Sequence, residues 1–103
     1  MKTFKDLIFR PFTLGGTQVH MQFNNNFGVS VICCDRAYSN GVNSYEVGIL
    51  HNGSITYDTP IADDVLGWLT EEEVTDVMKR VQRLIPSLMW YRLVKWFIKL
   101  FKS

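Results

Sequence analysis

Tyr57, Asp58, Asp63 and Asp64 lie close together in a chain of 103 residues, the last two side by side. Carboxylates at such spacing can bind a cation or wall a polar pocket, and the same oxygens can serve turns and helix caps. The spaced oxygen ligands and the glycine of a calcium loop are missing. Turn and cap formation is therefore the expected role, with a pocket walled by Tyr57, Asp58, Asp63 and Asp64 as the alternative. Cys33 or Cys34 could be paired with His20 as nucleophile and base, but nothing in the sequence supplies the third group that orients such a base. Neither His20 nor His51 has metal-ligand spacing around it. Gly15-Gly16 lacks the strand-loop-helix setting and the lysine of a phosphate loop. The chain is accordingly read as a non-enzyme, with no catalytic residue, metal or cofactor expected.

The elements that would carry these residues can be read from hydrophobic period and turn chemistry. Leu7-Ile8-Phe9 is a short apolar run closed by Arg10-Pro11, which suits an edge strand or an extended arm. Gly15-Gly16 turns the chain. Val19 to Phe23 alternates apolar and polar, Asn24-Asn25-Asn26 makes a turn, and Phe27 to Cys34 is the next strand. Val29, Val31 and Cys33 fall on one face of it, and Gly28, Ser30, Ile32 and Cys34 on the other. One cysteine can thus be buried while its neighbour is not, and both are expected as free thiols. After a polar loop from Asp35 to Ser44, the stretches Tyr45–Leu50 and Ser54–Asp58 flank His51-Asn52-Gly53. Asn-Gly fits the two left-handed positions of a type I′ hairpin turn.

Thr59-Pro60 ends that strand, and Ile61 to Trp68 reads as a connector. Thr70 and Glu73 form a capping box, Leu69 and Val74 stand where a hydrophobic staple would, and Glu71 to Glu73 suit the positive end of a helix dipole. Val74, Val77, Met78, Val81, Leu84 and Ile85 make one apolar stripe, and Pro86 stops the helix. Residues 1–85 are therefore expected to form one α+β domain, an antiparallel β-meander of about four to five strands packed against one helix.

Residues 86–103 read as a separate element. Ser87 can cap a helix from Leu88 to about Lys102. At 100° per residue Arg92, Lys95, Lys99 and Lys102 fall within an arc of about 80°, with Trp90, Leu93, Val94, Phe97, Leu100 and Phe101 opposite and Trp96 on a flank. Of the 11 basic residues these four are in the tail, which has no acid; the other seven face 10 acids, a net of −3 in the body. The acidic body gives no reason to expect nucleic-acid binding. Cations opposite Trp and Phe are the composition of a helix lying in a membrane interface, although the segment is too short and too often charged to span a bilayer. The apolar face could equally pack on the protein's own sheet, on a second copy, or in a groove of a partner. Trp90, Arg92, Lys95, Trp96, Phe97, Lys99, Phe101 and Lys102 are the expected contact residues for host protein, self-association into a homo-oligomer, or membrane surface.

The segment from Tyr57-Asp58-Thr59-Pro60-Ile61-Ala62-Asp63-Asp64 through Val65-Leu66-Gly67-Trp68-Leu69-Thr70-Glu71-Glu72-Glu73-Val74 resembles a family of short proteins encoded by bacteriophages and prophages. Phe4 to Pro11, Gly15-Gly16, Tyr45-Glu46-Val47 and Val77 to Leu84 resemble the same family, so the likeness spans roughly residues 4 to 84. Its members usually end near the position of Leu84, and the cationic tail is a departure. The resemblance implies a viral origin, expression inside a bacterial host and no established enzymatic role.

The first functional expectation is thus a phage accessory protein that acts by binding, inhibiting a bacterial defence system such as CRISPR–Cas. A peripheral membrane-surface protein anchored by the tail and a sponge for a nucleotide signal, using Asp35–Ser44 and Asp58–Asp64 as walls, are the alternatives. With no apolar leader in Met1 to Asp6, the expected location is the host cytoplasm, peripheral to the inner membrane where the tail engages lipid. Liposome co-sedimentation checks the lipid reading: chain pelleted with anionic vesicles should stay in the supernatant once residues 87–103 are removed. An unchanged pellet excludes lipid binding by the tail.

Overall fold

A computed structural model describes residues 1–85. The expected helix over 88–102, with Trp90, Arg92, Lys95, Trp96, Phe97, Lys99, Phe101 and Lys102, lies outside the described residues. The body is an antiparallel sheet packed on one face against one helix. Its strands are β1 (Arg10–Pro11), β2 (Thr17–Gln22), β3 (Phe27–Cys33), β4 (Tyr45–His51), β5 (Ser54–Ile55) and β6 (Leu66–Leu69), followed by helix α1 (Glu71–Gln82). The first five strands pair in chain order, and β6 also pairs with β4.

The core is one face of the two longest strands. In register, Val29 lies opposite Ile49 and Val31 opposite Val47. With Phe27, Cys33 and Tyr45 these residues bury against Val74, Val77, Met78 and Val81 of α1. Each such side chain contributes on the order of 1.5–3 kcal/mol by leaving water. The hairpin between β4 and β5 has the expected turn, with Asn52 at φ 52° and Gly53 at φ 85°. The capping box is present too. Thr70 Oγ1 accepts from the Glu73 N–H at 3.2 Å, and Glu73 Oε1 accepts from the Thr70 N–H at 3.0 Å.

Several expectations need correction. The connector after β5 contains a strand, β6, because the edge of β4 beyond β5 is still unpaired and its peptide groups need partners. β5 stops at Ile55, where one further bond from the Thr56 N–H to the Ile49 carbonyl ends the pairing short of Asp58. Both cysteines are buried, Cys34 at 1% exposure and Cys33 at 6%. Cys34 does face away from the core, but the loop after it folds back: its N–H donates to Ser39 Oγ and its thiol approaches the Leu14 carbonyl. The helix ends at Gln82, before the proline, and Ile85 is exposed rather than part of the stripe. Pro86 disfavours helical geometry at Ile85, and the Arg83 and Leu84 N–H groups already bond three residues back.

The N-terminal segment is an arm more than a strand. A short 3-10 helix, Phe4–Asp6, precedes it, and Leu7 is buried. Phe4, Phe9 and Tyr45 form a ring cluster with centroids 5.0–5.7 Å apart. Gln82 clasps Lys2 through two 2.8 Å bonds, and Thr75 Oγ1 accepts from the Phe4 N–H. The arm is thereby drawn out of the sheet plane toward α1.

Asn25, in the turn between β2 and β3, closes the other end of the helix. Its amide donates to the Val81 and Leu84 carbonyls at 2.8 and 2.9 Å. Helix carbonyls at a C-terminus lack partners of their own. Asn25→Ala should cost about 1–2 kcal/mol in denaturant unfolding. Asn25→Asp should cost more, because it removes the donors and sets an anion beside the negative end of the dipole.

Candidate functional site

Between Tyr45–Leu69 and Val47–Leu66, β6 spends one more residue than β4, which makes a β-bulge over Gly67 and Trp68. The extra residue puts Trp68 at φ 59°, in the left-handed region. A bulky L-residue there is strained, and the side chain is aimed differently from its neighbours on the strand. Trp68 is 61% exposed. A large aromatic side chain held in strained geometry and turned to solvent contributes little to the fold.

Tyr38 comes to the same place from a different part of the chain, itself 59% exposed. The Trp68 N–H donates to the Tyr38 carbonyl at 2.9 Å, and the Tyr38 N–H donates to Glu46 Oε2 at 3.2 Å. Gly67 lies so close that a Cβ on it would stand 2.5 Å from the Tyr38 Cβ, so only glycine lets the two segments meet. The loop that carries Tyr38 is fixed internally. Buried Ser39 accepts through Oγ from the Cys34 and Gly41 N–H groups, and Asn40 Oδ1 accepts from those of Val42, Asn43 and Ser44. Tyr38 and Trp68 are thus two exposed aromatics on a firmly bonded backbone.

The residues singled out from the sequence are placed differently. Tyr57, Asp58, Asp63 and Asp64 are all exposed. Asp64 Oδ1 accepts from the Val65 N–H at 2.7 Å, a turn role. The connector is anchored instead by buried Thr59, whose Oγ1 accepts from the Ile61 and Ala62 N–H groups. Among the described residues no three His, Cys, Asp or Glu side chains are grouped to hold a metal ion. His20 pairs with Ser30 and Thr17 with Cys33, which separates His20 from Cys33 by three rungs, about 10 Å, and places them on opposite faces. His51 stacks on Phe27, centroids 4.4 Å apart. Burial, then the nearby Cys33 and Glu71, raises the Tyr45 hydroxyl above its ordinary value.

Sequence reasoning passed over Trp68 because it lay in a supposed connector. The signal that marks it is the glycine inside Leu66-Gly67-Trp68-Leu69, since a lone glycine in an apolar run signals a bulge. Compared with known proteins, the chain matches no family model, no curated protein and no solved structure. Among the described residues no helix is long and apolar enough to cross a membrane.

The strain at Trp68 can be measured by substitution. Trp68→Asn should be more stable than Trp68→Ala by about 0.5–1 kcal/mol, because Asn tolerates left-handed geometry. Trp68→Val should be less stable than Trp68→Ala by a similar margin, about 0.5–1 kcal/mol, because its branched Cβ does not. Equal thermal midpoints for the three variants would remove the strain.

Proposed function

We propose that the chain is a non-enzymatic binding protein whose contact centre is the Trp68–Tyr38 surface, and that its partner is a protein of a bacterial host. The carrying observation is the exposed tryptophan at φ 59° in an edge-strand bulge. Strain of this kind costs about 1–3 kcal/mol and persists where it does something other than stabilise. Tryptophan and tyrosine supply large contact areas while losing few rotamers, and they head the residue types on which binding energy concentrates. The hydrogen-bonded loop behind Tyr38 holds it ready, which lowers the ordering cost of association.

The biological setting follows from the resemblance of residues 4–84 to short phage proteins. A phage-encoded binder of this kind would act by occupying a host surface, and a component of a defence system is the proposed target. Phage that depend on this protein should plate on defended hosts when supplied with the natural chain. With Trp68→Ala, plating should fall at least about 10-fold, as expected for loss of a contact worth 1.4 kcal/mol or more. On undefended hosts the two should plate equally. Equal plating with and without the protein on every host removes the defence assignment. Full activity of a folded Trp68→Ala variant removes the contact centre.

A further inference from the structure

We propose that two copies of this chain join edge to edge through β2, extending one sheet across a twofold axis at Met21. β1 covers the outer edge of β2 only at Thr17 and Gln18. From Val19 to Gln22 no strand among the described residues pairs with that edge. The hairpin bond from the Phe23 N–H to the Phe27 carbonyl fixes the alternation. Met21 and Val19 bond inward to β3, so the N–H and C=O groups of His20 and Gln22 point outward.

An open edge of this kind usually carries a lysine, a proline or a bulge that discourages pairing, and Val19-His20-Met21-Gln22 has none of them. The arm does not fill the space. Leu7 and Phe9 turn into the core, with the Phe9 ring 5.7 Å from that of Tyr45, a residue of β4 two strands inward from β2. Among the described residues, what remains beside β2 is a groove of about 420 Å³ with Ile8, 74% exposed, on its rim.

The occupant that fits is a second copy. His20 and Gln22 flank Met21 symmetrically, so an antiparallel copy centred there matches His20 of each chain with Gln22 of the other. That pairing closes four main-chain hydrogen bonds. The groove is lined by one acid and one base, Asp6 and Arg10, four residues apart on the arm. A twofold axis brings the acidic end of each toward the basic end of the other, a balance a strongly charged foreign strand would lack. The two Ile8 side chains come together over the axis. Because β2 and β6 stand at opposite sides of the sheet, the two Trp68 surfaces would lie about seven strand spacings apart, roughly 34 Å. The dimer would then engage two partner molecules, or two sites on one, with the gain that multivalency gives.

Sedimentation of the full chain over a concentration series tests this. The mass should rise from 12.0 kDa toward twice that value. His20→Pro removes an outward N–H without touching the β3 ladder, and should hold the folded chain at the monomer mass. Should that variant fail to fold, Ile8→Asp, at an exposed site on the arm, decides in its place by weakening dimerisation at least 10-fold. A natural chain that stays monomeric throughout overturns the proposal. So does a dimer that folded His20→Pro and Ile8→Asp leave at full strength.

Discussion

On the side away from β3, β4 presents one row of peptide groups, and two short strands share it. β5 takes Leu50 and His51, and β6 takes Tyr45 to Val47. Unpaired groups on a largely buried strand are costly, so the chain must return to the same edge after the hairpin. Buried Thr59 makes the return possible by bonding the connector to itself. Having returned, β6 must still deliver Thr70 to the start of α1. The extra residue in its path is absorbed as the bulge, and the strain of that bulge falls on Trp68.

The two faces of the domain are built on different rules. On the helix side every element is tied to another: Asn25 to the end of α1, Gln82 to Lys2, Thr75 to Phe4, and Phe9 to the ring of Tyr45. At the β6 side the polar bonds serve the backbone of the Tyr38 loop and leave the aromatic side chains outside. Stability is concentrated where the apolar stripe of α1 meets β3 and β4, which frees the opposite edge to carry exposed apolar groups. Exposed aromatics on rigid backbone are what a binding surface needs and what a fold alone does not.

Local signals in the sequence carried much of this. Asn52-Gly53 gave the hairpin, Thr70 with Glu73 the helix start, and the spacing of Val74, Val77, Met78 and Val81 the buried face, because each depends on residues within one turn of the chain. Features decided by distant contacts were not legible. Cys34 is buried by a loop that closes over it. β6 has four residues and no alternation to announce it. Trp68 is the extreme case, since its backbone angle follows from the register of two strands some twenty residues apart. The connector's aspartates are exposed, and Asp64 takes the turn role that its spacing suggested.

The central claim is that Trp68 is held in left-handed geometry by that register. The most direct measurement is the intraresidue amide-to-Hα cross-peak of Trp68 in a nuclear Overhauser spectrum of the full chain. Left-handed backbone brings these two protons closer than any extended residue does. A cross-peak markedly stronger than those of Leu66 and Leu69 is the expected result. One of the same intensity would place Trp68 on an ordinary strand, without the bulge and without the reason for its exposure.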